Sequence, residues 1–261
     1  MQLCVLASGS SGNAIYIASQ ERKVLIDAGL SGKETSRRLA QIDVDIHDLD
    51  AILLTHEHGD HLTGAGVIAR KCKIPIYATD GTWQVGEEKL GKLTSSQKLI
   101  VKQGFNIGNL KINPFSISHD AKEPVGYTVS SDGKKLAIAT DMGVVTKEVR
   151  AEINDADLVV LESNHDLEML KIGPYPWSLK KRVMGPQGHL SNDDAADLIV
   201  ELANKKASRI LLAHLSQDNN IPELAFLTIK NMLVDDGLEI GQDIELDFTS
   251  QDQISKLYQV G

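Results

Sequence analysis

Four side chains able to hold a metal ion fall within six residues of one another: His56, His58, Asp60 and His61, in the run Thr55-His56-Glu57-His58-Gly59-Asp60-His61. Imidazole and carboxylate together suit zinc, manganese or iron, and no cysteine lies close enough to suggest a structural thiolate site. The whole chain has eight histidines, so three of them in six positions beside an aspartate argues against a His-rich surface loop arising by chance. The run directly follows the apolar stretch Ala51-Ile52-Leu53-Leu54. A regular strand or helix could not aim all four side chains at one place. The spacing therefore predicts a tight loop after a strand, with His56 and His58 reaching one ion, Asp60 and His61 a second, and Gly59 easing the bend.

Other candidates share one placement. Asp27 follows Val24-Leu25-Ile26, His119 follows Phe115-Ser116-Ile117-Ser118, Asp141 follows Leu136-Ala137-Ile138-Ala139-Thr140, and His214 follows Arg209-Ile210-Leu211-Leu212-Ala213. Each stands at the carboxyl end of an apolar run, where the strands of α/β proteins gather their sites at one sheet edge. Any one alone reads as a cap or turn residue. The repetition, beside a histidine cluster, reads as a site. Glu162, Asn164 and His165 follow a further run, 158–161, and His189 lies in the turn Gly188-His189-Leu190 just ahead of Ser191.

The elements that must position these residues are mostly short strands. β-type runs are expected at 3–7, 14–18, 24–26, 51–55, 74–78, 99–101, 110–118, 126–129, 136–140, 158–161, 209–213 and 244–248. Helices are expected at 33–41, 63–72, 192–204 and 222–233. Ser191 and Asp194 form a capping-box pattern for the third of these, and Pro222 opens the fourth with Gly237 beyond its end. Ser131-Asp132-Gly133-Lys134 predicts a hairpin, since Asp-Gly favours that turn. Strands first, then strands alternating with helices, predict sheet layers covered by helices. No linker, repeat or low-complexity tract interrupts residues 1–261, so a single domain with one large core is expected.

Composition limits the function classes. Two cysteines without a C-x-x-C partner read as buried reduced thiols in a reducing compartment. The amino terminus carries no basic region and too short an apolar stretch for a signal peptide, and no run approaches a membrane span. The cytoplasm is the expected location, with no membrane partner. A net charge of −9 opposes broad attraction to nucleic acid, although bound metal ions can supply local positive charge.

With Asp27, the H-x-H-x-D-H run, His119, Asp141 and His214 in that order, nearly the whole chain resembles the metallo-β-lactamase superfamily. The resemblance implies an α/β (α+β) fold, a four-layer αββα sandwich with two divalent metal ions (Zn, Mn or Fe) at one edge. By it, His56, His58 and His119 hold the first ion, Asp60, His61 and His214 the second, and Asp141 bridges both. A water between the ions is the implied nucleophile, with Asp60 helping to orient it, and Asp27 orients a ligand through a hydrogen bond without touching metal. The segments Leu6-Ala7-Ser8-Gly9-Ser10-Ser11-Gly12-Asn13, His119-Asp120-Ala121, Glu162-Ser163-Asn164-His165-Asp166 and Gly188-His189-Leu190-Ser191-Asn192 look like the YycJ/WalJ (VicX) group, whose activity is regarded as 5′ to 3′ DNA exonuclease.

Phosphodiester hydrolysis needs a proton donor beside the leaving oxygen. His189 is placed to serve, like the histidine of the similar Gly-His-Ser motif of tRNase Z. Glu162 is expected to fix a histidine tautomer. Asn164, His165 and Ser191 are candidate substrate contacts, and the amino terminus of the helix at Asn192 would favour a nearby phosphate. The Gly/Ser-rich stretch 8–13 lacks a nucleotide-loop lysine and reads as a hairpin whose N–H groups could reach the site's rim. Lys180-Lys181-Arg182, just after Tyr175 and Trp177, combines cations with aromatic rings, a pattern that reads either as a solvated face or as a nucleic-acid contact. Two other functions fit parts of this pattern. One is a hydrolase of a small thioester, lactone or lactam, which suits the acidic charge but not the Ser-His-Asp-Ala context of His119. The other is a metal-binding regulatory module, which the open coordination of the ligand set disfavours.

Overall fold

Apolar runs of a few residues, broken by Gly, Asp and Ser, become the strands of two mixed seven-stranded sheets. The computed structural model describes residues 1–205 and 209–260. Along the chain lie β1 (Gln2–Ala7), β2 (Ala14–Ala18), β3 (Lys23–Ile26), α1 (Gly32–Leu39), β4 (Ala51–Leu53), α2 (Gly59–Leu62), α3 (Ala65–Cys72), β5 (Ile76–Ala78), α4 (Asp80–Leu90), β6 (Lys98–Ile100), β7 (Phe105–Ile107), β8 (Leu110–Ser116) and β9 (Val125–Ser131). There follow β10 (Lys134–Ala139), α5 (Lys147–Ile153), β11 (Leu158–Glu162), α6 (Leu167–Ile172), α7 (Trp177–Val183), α8 (Asn192–Ala203), β12 (Arg209–Ala213), α9 (Pro222–Asp235), β13 (Glu245–Phe248) and β14 (Tyr258–Gln259).

The chain divides into two compact units: Met1–Pro114 with Ala121–Lys134 and Ser250–Gly261, and Phe115–Asp120 with Lys135–Thr249. In the first, the sheet order is β14-β1-β2-β3-β4-β5-β6. Strands β1 to β3 pair antiparallel, while β3, β4, β5 and β6 run parallel. Ile26 stands opposite Leu53, so the chain leaves β3 and β4 side by side at one carboxyl edge. Leu25, Ile52 and Leu54 pack there with Leu39, Ile68, Ala69, Trp83 and Leu90 from the helices.

In the second unit β10, β11, β12 and β13 are parallel neighbours, with Ala139 opposite Leu161 and Leu161 opposite Leu212. Val159, Leu161, Ile210 and Leu212 pack with Leu198, Ile199, Leu202, Ile229 and Leu233 of α8 and α9. Residues on both faces of β11 are buried, as a parallel sheet requires and as its unbroken apolar sequence anticipates. Each unit buries an apolar cluster where its sheet packs against its own helices. Among the described residues, no helix is long and apolar enough to cross a membrane. Cys4 and Cys72 are free thiols, Cys4 buried and Cys72 only half-buried.

The capping box at Ser191 and Asp194 is present, and Asp132 and Gly133 take the positive φ values (53° and 73°) of the expected tight turn. Helices α4, α5, α6 and α7 and strands β7 and β14 go beyond the sequence expectation. Helix α4 hides behind two glycines, although its Thr79 cap and buried Trp83, Gly86 and Leu90 follow helical spacing. The helix expected at 63–72 is α3, capped at Gly64, and the single turn α2 stands before it in the run expected to be a loop.

Candidate metal centre

In the first unit the histidine run leaves β4, passes an extended segment through His58, and closes into the single turn of α2. His56 Nε2 and His58 Nδ1 lie 3.0 Å apart. Two nitrogens bound to one tetrahedral ion at 2.0–2.1 Å each would stand roughly 3.3 Å apart, so this pair fits a shared cation. The rings of His56 and His61 are 4.0 Å apart between centroids. Asp60 and His61 ride on α2, which turns both to one side of the run.

Asp27 holds this arrangement in place. Its carboxylate accepts from Thr55 N (2.9 Å) and Thr55 Oγ1 (2.8 Å) and contacts His61 Nδ1 at 2.8 Å. Burial pushes the Asp27 carboxyl up, against the pull of His61 and the Thr55 bonds. With Nδ1–H on Asp27, His61 has its lone pair on Nε2, 3.4 Å from Asp60 Oδ2. Asp27 also adopts a left-handed backbone, φ 60°, a conformation that costs a non-glycine residue energy and concentrates at functional sites.

Asn13 is a site neighbour that the sequence reading passed over. Its Nδ2 donates to Asp60 Oδ2 (3.2 Å) and lies 3.0 Å from His61 Nε2. The Gly/Ser-rich turn therefore reaches the cluster through a side chain, in addition to the Asn13 N–H bonded to Asp60 O at 2.7 Å. The expected bend at Gly59 is a correction. A Cβ there would meet nothing nearer than Thr63 Oγ1 at 3.9 Å, whereas one on Gly29 would lie 1.6 Å from Asp60 O. Gly29 and Gly64 are the glycines that let the chain pass against this loop.

In the second unit Asp141, Glu162, His189 and His214 each bring a donor atom within 4.8 Å of the others. Register alone places three of them, since β10, β11 and β12 end together. Asp141 and His214 both sit at positive φ, 59° and 57°. Glu162 is wholly buried and acts as the hub. Its Oε1 takes His189 Nδ1 (2.7 Å) and His214 Nδ1 (2.9 Å), and its Oε2 accepts from Met142 N (2.9 Å) and Leu190 N (3.2 Å). Burial opposes its charge, yet His189 and His214 together hold the carboxyl well below the usual carboxylate range. Burial also works against a charged His189, but Glu162, with Asp141 and Asp120, outweighs it and pushes His189 up to about 9. His214 Nδ1 lies 3.3 Å from Asp141 Oδ1. The His119 ring is 5.2 Å from that of His189, its Nδ1 is 3.3 Å from Gly188 O, and burial lowers its basicity.

The three residues expected to meet substrate are all buried. Asn164 Nδ2 donates to His214 O (2.8 Å), and Ser191 caps α8. His165 forms an isolated β-bridge with Ser191, and burial holds its ring down at about 4, hence neutral. The amino terminus of α8 is likewise unsuited to a phosphate. Ser191 and Asp194 already satisfy it, and Asp193 and Asp194 make its first turn acidic. Of the basic run, Lys180 turns inward to Lys171 O (2.6 Å) and Arg182 Nε donates to Asp120 Oδ2 (2.5 Å).

These donor sets, at the carboxyl ends of strands in helix-covered sheets, fit a metal-binding site, and they define an α/β protein with a histidine–carboxylate centre. The family model described as "Beta-lactamase superfamily domain" matches residues 22–215. Over the full length, the chain is 41% identical to exodeoxyribonuclease YycJ of Bacillus anthracis, covering 100% of this chain and 99% of that protein. It is 43% identical to exodeoxyribonuclease WalJ of Streptococcus pneumoniae, covering 98% and 97%. Among solved structures, the metallo-β-lactamase fold protein YhfI of Bacillus subtilis superposes with a TM-score of 0.73 at 15% identity, covering 98% and 99%. The chain belongs to the metallo-β-lactamase superfamily, in the group that contains YycJ and WalJ, and has that superfamily's αββα fold.

Proposed function

We propose that this protein is a metal-dependent phosphodiesterase that degrades DNA from its ends, with 5′ to 3′ polarity. The observation that carries the reading is the Glu162 hub, which fixes His189 beside Asp141 and His214. Full-length identity to proteins named exodeoxyribonucleases supports it. By the superfamily resemblance the centre would take two divalent ions, zinc, manganese or iron: His56, His58 and His119 would hold one, Asp60, His61 and His214 the other, and Asp141 would serve both. When bound, they supply Lewis-acid charge for the phosphate and a water of lowered pKa.

The chain's own residues do the rest. Asp27 keeps the Nδ1 proton of His61 away from the ligand side, and Glu162 does the same for His214. His189, anchored through Nδ1 and about one-fifth exposed, offers Nε2–H to the departing oxygen, the proton that such a leaving group requires. Asp60 orients the attacking water. Asn164 and Ser191 position His214 and α8 from behind. The family match spans both compact units, which supports one functional domain over residues 1–261. The two free thiols support a cytoplasmic location.

End-labelled duplex DNA with manganese tests this reading. Wild-type protein is expected to shorten the labelled strand. Asp60→Ala should lose more than the roughly 10–100-fold typical of losing an outer hydrogen-bond partner of a metal ligand. Turnover of nitrocefin or a thioester, with DNA left intact and metal content normal, would overturn the reading in favour of a small-molecule hydrolase.

A further inference from the structure

The basic and aromatic run at 175–182 is left unused by the hydrolytic centre, yet α7 ties it to the turn that carries His189. Trp177 opens α7 and is 58% exposed, although tryptophan side chains are mostly buried in folded proteins. Lys181, one helical turn on, places its Nζ 5.8 Å from the Trp177 ring centroid. Arg182 has a side chain 60% exposed, and its Nε is anchored on Asp120, whose other oxygen lies 3.4 Å from His119 Nε2. At the far end of α7, Val183 O accepts from His189 N (2.9 Å), and Arg182 O accepts from Gly185 N (3.1 Å). Trp177 and Val183 are thus about 9 Å apart along the helix axis, at 1.5 Å per residue. Lys180 is buried against Lys171 O and takes no part in this face.

We propose that the outer face of α7 binds the single strand of DNA that leads to or from the hydrolytic centre, with a base stacked on Trp177 and phosphates met by Lys181 and Arg182. This deepens the exonuclease reading and rests on it for the identity of the strand. An exposed ring with flanking cations is the usual platform for a single strand, because every base offers a π-face and every linkage a charge. The chemistry is conspicuous in a chain of net charge −9, where a general cationic surface is not at work. A solvated face would need cations but no open tryptophan.

The chain has two tryptophans, and the other, Trp83, is buried with its Nε1 on Leu99 O (3.1 Å). Quenching of intrinsic fluorescence by hydrolysis-resistant phosphorothioate oligo(dT) therefore reports Trp177. Quenching is expected in the wild type and absent in Trp177→Ala. Affinity measured by anisotropy should fall roughly 5- to 150-fold in Trp177→Ala and be largely kept in Trp177→Phe. Lys181→Ala and Arg182→Ala should each flatten the salt dependence by about 0.7 in log–log slope. Wild-type affinity and slope in these variants overturn the proposal, as does a Trp177 emission shift with phosphatidylglycerol vesicles but none with oligo(dT). Trp177-dependent binding without any DNA degradation would overturn the exonuclease reading alone. DNA degradation with unchanged affinity in Trp177→Ala would overturn this inference alone.

Discussion

Glu162 is wholly buried, and its two oxygens face four donors, two histidine Nδ1 atoms and two backbone N–H groups. A carboxylate so occupied orients histidines and is poorly placed to bind metal itself. Glu162→Gln replaces one acceptor oxygen by a donor NH2 and sets it against either the histidines or the backbone N–H groups. Metal affinity measured by titration calorimetry should then fall by about 10–100-fold, with a parallel loss of DNA hydrolysis. Unchanged affinity would mean that His189 and His214 need no anchor. Asp27 plays a similar part for His61, and here too the residue stands at the end of a strand, where sequence pattern drew attention to it. Asn13 lacked that signal. It sits in a glycine-rich turn and reaches Asp60 only because the chain returns there after 47 residues.

Helix α1 shows what an element contributes beyond its apolar face. Glu34, in its first turn, accepts from Arg37 Nε and Nη2 and from Arg38 Nε, while Arg38 Nη1 also donates to Leu6 O and Gln251 O. The Arg37 and Arg38 hydrogen bonds lower the Glu34 carboxyl to about 2 against a small desolvation cost. A carboxylate with a depressed folded-state pKa stabilises above its ordinary value of 4.5 and loses that contribution as pH falls towards 2. Glu34→Gln should therefore cost about 1 kcal/mol at neutral pH, after discounting for solvent screening. The gap from wild type in thermal melts should narrow steadily from pH 5 to pH 3, and a gap independent of pH would rule out the ionic origin. Strands with strong apolar runs, such as β2 and β12, match their expected limits because burial on both faces leaves no polar position to blur them. Helices α4 to α7 were less legible. They are short or glycine-bearing, and tertiary packing holds them where local propensity is weak.

At the scale of the molecule, metal binding to the folded chain and not to the unfolded one couples the centre to stability. At a hundredfold excess over Kd, one ion contributes about 2.7 kcal/mol. Chelation should therefore lower Tm by roughly 5–10 °C for a chain of this size, and adding back manganese should restore it. An unchanged Tm after confirmed metal removal would argue that no ion is held by these residues. The −9 charge raised a real objection to a polyanionic substrate. A bound metal ion would answer it locally, and so would the cationic face proposed for α7. Sequence by itself determined the donor types, their order, and their position at the ends of apolar runs, because strand periodicity and turn chemistry are local. Only the tertiary structure decided which carboxylate holds which histidine: Asp27 and His61 are 34 residues apart, Glu162 and His189 27, and Glu162 and His214 52. Such pairings follow from strand order and register, which bring remote strand ends together at one edge.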